Sequence, residues 1–242
     1  VNDKTDTGGL AAHAIAGSQS ARPAQPHPVE RVFEYHVDMT TGFQGALDFR
    51  DPEPGPVPLA RAARTDLAHG AWVDVLTGWL PEPDALFDTL VREVPWYAER
   101  RAMYDAVVDV PRLLKFYAEG APLPHPALVN AREALTAHYP IPFATVGLCH
   151  YRDGGDSVAW HGDNSGRGAH EDTLVAILSL GATRPLLLRP RGGGESLRFP
   201  LSHGDLLVMG GSCQRTWEHA IPKTRKPVGP RISAQFRPRG VR

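Results

Sequence analysis

The hydrophobic rhythm of the chain changes twice. Its first thirty residues, VNDKTDTGGLAAHAIAGSQSARPAQPHPVE, are small, polar and proline-dotted with almost nothing to bury. That composition predicts a disordered tail over 1–30. Residues 31–69 include a second proline-rich stretch, DPEPGPVP at 51–58, and read as an extended, partly ordered segment. From about Gly70 apolar residues become dense, and a folded domain is expected over 70–242. WVDVLTGWL (72–80) reads as a strand running into a turn at Pro81. PDALFDTLVREV (83–94) places Leu86, Phe87, Leu90 and Val94 on one helical stripe, with Pro83 suited to the helix start. HPALVNAREALTAHY (125–139) repeats that period through Leu128, Ala131, Leu135 and Tyr139, and Pro140 ends it.

Downstream the period falls to two. FATVGLCHY (143–151), TLVAILSLG (173–181), PLLLRP (185–190), SLRFPL (196–201), DLLVMG (205–210) and RISAQFR (231–237) are short, alternating or β-branched runs bounded by Gly- and Pro-bearing turns. Two helices followed by many short strands predict a mostly β, α+β fold, with helices packed on a sandwich or jelly roll.

Composition adds little until charge is mapped along the chain. The net charge is −1 over 242 residues. Residues 173–242 hold 12 Lys/Arg against 3 Asp/Glu, leaving 14 against 24 for residues 1–172. The basic end reads either as a solvated tail or as a footprint for phosphates or a small dianion. Only two cysteines, Cys149 and Cys213, are present, in no metal-ribbon spacing, which points to a reducing, cytoplasmic compartment. No apolar run approaches membrane-spanning length and no signal-peptide core is visible, so no membrane association is expected.

The candidate chemistry lies in HGD at 161–163. By itself H-x-D reads as a hydrogen-bonded turn. His219, in RTWEHAIP, supplies a second imidazole, and two imidazoles plus a carboxylate can occupy one face of an octahedral Fe(II). A zinc hydrolase would use a similar ligand set, so the ligands alone leave the metal open. Arg231 and Arg237, six apart in RISAQFR, fall on one face of a strand. Two guanidinium forks aimed one way suit a dicarboxylate such as 2-oxoglutarate.

With these residues in hand, the chain resembles the AlkB-type Fe(II)/2-oxoglutarate dioxygenases, which act in nucleic-acid dealkylation repair. The matching text is CHYRDGGDSVAWHGD, then LSLGATRPLLLR, then HGDLLVMGGSCQRTWEHAIPKTRKPVGPRISAQFR, with weaker similarity back through 94–117. The resemblance implies a double-stranded β-helix (jelly roll) with an N-terminal nucleotide-recognition lid. It implies His161, Asp163 and His219 as Fe(II) ligands, with 2-oxoglutarate and O2 as co-substrates. Arg231 would take the distal carboxylate, Arg237 would lie nearer the metal, and Tyr151 would reach the co-substrate. The activity implied is hydroxylation of an N-alkyl group on a base in DNA, with RNA an alternative, releasing an aldehyde, succinate and CO2. A monomer is expected.

The chain departs from the family pattern at three positions. Cys149 and Ser233 stand where the family commonly has asparagines, removing two amides beside the co-substrate. Asn164 stands where an acidic residue usually touches the target base, and an amide donates as well as accepts. Those changes keep open an oxygenase acting on a modified RNA, a protein side chain or a metabolite. Candidate substrate contacts are Asn164, Tyr104, Arg112, Tyr117 and Trp160, with Trp96 and Met103 behind them, each with a core-packing alternative. His150, His170 and His203 read as satisfied surface histidines.

Overall fold

A computed structural model describes residues 55–103 and 106–241. The expected tail at 1–30 lies outside them, as does Tyr104. In chain order the elements are β1 (Ala63–Asp66), β2 (Ala71–Leu76), α1 (Asp84–Glu93), β3 (Tyr97–Met103), β4 (Ala106–Tyr117), α2 (Pro126–His138), β5 (Phe143–Tyr151) and β6 (Val158–His161). They continue with β7 (Val175–Gly181), β8 (Arg184–Pro190), β9 (Leu197–Leu201), β10 (Leu206–Gly211), α3 (Cys213–Thr216), β11 (Trp217–Ile221) and β12 (Arg231–Pro238). Among the described residues, no helix is long and apolar enough to cross a membrane.

Two sheets stack in the order β1-β2-β10-β7-β12-β5-β4-β3 and β6-β11-β8-β9. The strand pairs are antiparallel, as a jelly roll requires. Strand alternation divides the side chains of the large sheet between two cores. On β7, Ala176, Leu178 and Leu180 pack toward α1 and α2, whereas Val175 and Ile177 pack between the sheets. On β12, Ile232, Ala234 and Phe236 join the helix-side core, so Arg231, Ser233, Gln235 and Arg237 face the other way. The helices seal that first core with Leu86 and Leu90 from α1 and Leu128, Ala131 and Leu135 from α2, as their stripes predict.

Three elements differ from the sequence expectation for identifiable reasons. Pairing begins upstream of Gly70, because β1 pairs with β2 although all four of its residues are exposed. An edge strand with no buried face leaves no hydrophobic signature. The β3–β4 hairpin extends the large sheet at its other edge. Pro111 stands within β4 where the β3 register shifts between Ala98 and Arg100, and its carbonyl accepts from the Ser157 N–H at 2.8 Å. A proline in a strand is tolerated at such an irregularity, but it argues against a strand when read in sequence alone. Finally, β11 is too mixed in polarity (WEHAI) for a period to emerge.

Candidate active site

Between the two sheets lies a cavity of about 730 Å³, a size ordinary for small-molecule sites. Its floor is built by alternation. Arg231, Ser233, Gln235 and Arg237 of β12 lie beside Tyr151, Cys149 and Gly147 of β5 through the antiparallel register Arg231↔Tyr151, Ser233↔Cys149 and Gln235↔Gly147.

His161 ends β6 and sits directly opposite His219 of β11 in the strand register. Their rings lie 4.2 Å apart between centroids, and both line the cavity with Asp163. The Nδ1 of His161 is 2.8 Å from the Ala159 carbonyl. A carbonyl only accepts, so this nitrogen carries the proton and Nε2 keeps a lone pair for a ligand.

The glycine between His161 and Asp163 is required sterically. A Cβ there would stand 2.6 Å from the Gln214 carbonyl oxygen and 3.0 Å from Arg191 Nη2. Gln214 is buried on α3, and its Oε1 accepts the Asp163 N–H at 2.9 Å. Arg191 donates through Nε to the Arg215 carbonyl at 3.0 Å, tying the same turn to α3. The short loop carrying Asp163 is therefore packed against the Gln214 backbone and the Arg191 side chain, which leave no room for a side chain at 162.

Electrostatics separate the charged states. Burial would raise the Asp163 carboxyl, but the guanidinium of Arg237, with Nε 2.8 Å from Oδ2, and the nearby His219 hold it at about 2. Burial, reinforced by His161, lowers His219 to about 3. The site thus presents an ionised carboxylate and a neutral imidazole, the forms in which each side chain ligates a metal. Tyr151 is pushed up to about 12 by burial, with Cys149 adding to the rise and Arg231 opposing it.

Arg231 is the most unusual group. It is 1% exposed, its Nε donates to Ser179 Oγ at 3.0 Å, and its guanidinium lies 5.2 Å from the Tyr151 ring. Both terminal nitrogens lack a hydrogen-bond partner among the described residues. A buried cation with two open donors is costly unless an anion meets it.

These observations fit an iron and a dicarboxylate, though the three donors are not already drawn together. Among the described residues no group of three His, Cys, Asp or Glu side chains is close enough to hold a metal ion as it stands. Asp163 turns Oδ2 to Arg237 instead. The fit rests on the donor chemistry, the shared cavity and the paired register of the two histidines.

The sequence-based site residues divide clearly. His161, Asp163, His219, Tyr151, Ser233, Arg231, Arg237 and Arg112 all line the cavity. Arg112 also donates to the Ser157 carbonyl at 3.1 Å. Three candidate substrate contacts do not line the cavity. Tyr117 packs against the helix-side core, with Lys115 Nζ 5.7 Å from its ring. Trp160 is stacked by Arg189 at 4.0 Å, and Glu218 holds that arginine by a 2.7 Å bond. Asn164 faces its own loop; with its amide oriented to satisfy both neighbours, it donates to the Gly162 carbonyl at 2.9 Å and accepts from Arg191 Nη2 at 3.1 Å. Neither Trp160 nor Asn164 lines the cavity.

His150 is likewise not a surface residue. It is buried on the helix side, 5.1 Å from the Trp96 ring, and burial lowers its pKa. His203 accepts the Gly181 N–H through Nδ1 at 2.8 Å.

Other residues at the site were not anticipated. Tyr97 and Phe116 stand at the cavity, 47% and 50% exposed. Gln235 bridges several floor groups, although the alternation from Arg231 to Arg237 already points to it. Arg184, 1% exposed, donates to the Asp153, Asp156 and Pro222 carbonyls, joining two loops behind the site.

Residues 114–239 match the 2OG-Fe(II) oxygenase superfamily. The chain belongs to that superfamily. The superfamily is named for Fe(II) and 2-oxoglutarate, the cofactor and co-substrate of its oxygenase chemistry. Alpha-ketoglutarate-dependent dioxygenase alkB homolog 3 from Bos taurus is 34% identical over 188 residues, or 67% of this chain and 65% of the relative. The chain therefore spans just under two thirds of that relative's length. DNA oxidative demethylase ALKBH2 from Homo sapiens is 28% identical over 179 residues, covering 64% of this chain and 68% of the relative. Among solved structures, OsALKBH1 aligns with a TM-score of 0.50 at 14% identity, over 73% of this chain and 100% of that one, a likeness of fold. The jelly-roll expectation is borne out.

The two depressed pKa values predict acid sensitivity of the metal-free protein. His219 falls from 6.5 to about 3, so the unfolded chain takes up its proton first as pH drops below 6.5. Asp163 falls from 3.8 to about 2, so its contribution is present above 3.8 and is lost as pH falls toward 2. In both cases the unfolded state binds more protons, and stability declines with pH. Melting temperature measured from pH 7 to pH 4 should fall progressively, less so in His219→Phe. A flat profile would contradict the assignment.

Proposed function

We propose that this chain is an Fe(II)/2-oxoglutarate-dependent oxygenase that dealkylates N-alkylated bases in nucleic acid, DNA foremost. The observation that carries the reading is Arg231, a buried guanidinium with two open donors on the cavity that His161, Asp163 and His219 share. A dicarboxylate whose other end chelates metal meets both requirements. His161, Asp163 and His219 would hold the iron, and Arg231 the far carboxylate. Arg237 would steady Asp163. Bound together, iron and 2-oxoglutarate would supply with O2 the chemistry that hydroxylates a C–H bond, one oxygen atom entering the substrate carbon and the other succinate, with CO2 released. A carbon hydroxylated on a base nitrogen then leaves as an aldehyde, restoring the base.

The chain's residues orient the substrate and exclude water. A base must leave its stack to enter such a cavity. Tyr97 pairs with Leu114 in the hairpin register, and Phe116 follows two residues along the same strand face. This exposed aromatic pair suits a flat base better than Tyr117 or Trp160. One relative, ALKBH2 from Homo sapiens, is a DNA oxidative demethylase by name, which supports the substrate class.

Lys223, Arg225 and Lys226 are exposed in the loop after Ile221, which lines the cavity. Backbone bonding of Thr224 to Gly154 at 2.9 Å fixes that loop. We predict that reversing all three charges weakens oligonucleotide binding and lowers the salt slope by about two to three. Binding measured from low to moderate salt checks this, and an unchanged slope would remove the loop from the nucleic-acid path.

A second reading, an oxygenase acting on a modified RNA, a protein side chain or a metabolite, is favoured by one observation. Asn164 does not line the cavity, so the residue that follows the proposed metal aspartate is not placed to read a base there. One assay separates the readings. Protein with Fe(II), 2-oxoglutarate and ascorbate is offered single- and double-stranded DNA and RNA bearing 1-methyladenine or 3-methylcytosine. Restored base with matching formaldehyde and succinate is expected. Succinate without restored base in every substrate would overturn the dealkylation reading.

A further inference from the structure

The cavity floor has a feature that the residue types at 149 and 233 do not explain. The resemblance places amides at both positions, whereas this chain has a thiol and a hydroxyl. Gln235 brings an amide back to the same place from a different strand position. Its Nε2 lies 3.4 Å from Cys149 Sγ and 3.3 Å from Ser233 Oγ. Its Oε1 accepts from Arg237 Nη2 at 2.7 Å, and Arg237 in turn donates through Nε to Asp163 at 2.8 Å.

Space for this chain of contacts comes from Gly147, the β5 partner of Gln235 in the register. A Cβ at 147 would stand 3.0 Å from Arg237 Nη1 and 3.7 Å from Gln235 Oε1. The guanidinium therefore lies over a notch in β5, fixed on one side by a carboxylate and on the other by an amide. Arginine donors form a rigid planar fork, so fixing two of its nitrogens also sets where the third points.

We infer that Gln235 is a positioning residue that substitutes for the two missing amides and, in the notch at Gly147, aims Arg237 at both Asp163 and the bound 2-oxoglutarate. This rests on the 2-oxoglutarate reading of the cavity. It assigns to one side chain a task that the family pattern divides between two, and links the departures at 149 and 233 to a third residue.

Calorimetric titration of 2-oxoglutarate into Mn(II)-loaded protein without oxygen tests it, with melting temperature recorded alongside. In Gln235→Met, which keeps chain length and packing, affinity should fall about tenfold, as for loss of one hydrogen bond to a charged group. The melting temperature should hardly change. Gly147→Ala, which removes no hydrogen-bonding group but crowds Arg237, should weaken binding in the same direction. Adding Cys149→Asn and Ser233→Asn to Gln235→Met should recover most of the loss, which a general packing defect would not allow. Wild-type affinity in Gln235→Met, or no recovery on restoring the amides, would overturn the inference while leaving the 2-oxoglutarate reading intact. Failure of the unsubstituted protein to bind 2-oxoglutarate would overturn both.

Discussion

Replacing Asp163 with alanine is expected to abolish metal retention and turnover together. The carboxylate is the only anionic member of the proposed ligand set, and it is 6% exposed at the end of a loop with no freedom at Gly162. Loss of activity should exceed the roughly 10- to 100-fold effect of removing an outer-shell partner. The substitution also strands Arg237, whose pKa stays raised despite burial because Asp163 is beside it. Breaking a buried ion pair in this way costs about 3–5 kcal/mol. Iron per chain after desalting, turnover and melting temperature should all fall. A variant that retained stoichiometric iron would refute the ligand assignment.

Arg231→Met should separate binding from stability. Removing the receptor of a buried carboxylate costs about 2–5 kcal/mol, which is about 30- to 5,000-fold in 2-oxoglutarate affinity. Stability of the ligand-free protein should behave in the opposite sense. Burial lowers the Arg231 pKa although Tyr151 opposes it, and its two terminal nitrogens have no partner at hydrogen-bond geometry among the described residues. Methionine removes that uncompensated charge and keeps much of the apolar stem, a change that is often neutral or stabilising. An equal or higher melting temperature with collapsed co-substrate affinity would mark Arg231 as a binding group kept at the expense of stability. Unchanged affinity would place the dicarboxylate elsewhere.

The parts of this site that were legible in sequence are those governed by simple periods. Arg231 and Arg237 share a face because strand side chains alternate, and the structure lines both on the cavity floor. The same alternation, applied one step further, would have picked out Gln235. The two helices and the buried strands were readable because each has one apolar face and clear stops.

What escaped depended on side-chain direction or on edge strands. Tyr117 and Phe116 are adjacent in sequence, yet Phe116 stands at the cavity while Tyr117 joins the opposite core. Choosing between them requires the register of β4, which Pro111 and the shift in β3 pairing obscure. Asn164 and Trp160 lie within three residues of the candidate ligands, but Arg191 and Arg189 hold them away from the cavity. Those arginines approach from β8 and the turn after it, contacts with no local sequence signal. Both cysteines are buried and free, and burial pushes Cys213 up to about 12, consistent with packing and not thiol chemistry at that position.

The most direct test of the account is an anaerobic titration of 2-oxoglutarate into Fe(II)-loaded protein, followed by visible absorption. A 2-oxo acid chelating Fe(II) through its keto and carboxylate oxygens gives a charge-transfer band that neither component shows alone. The account predicts such a band, saturating at one 2-oxoglutarate per iron and lost in both Asp163→Ala and Arg231→Met. A titration that stays colourless with iron bound, or a band that persists undiminished in both variants, would contradict it.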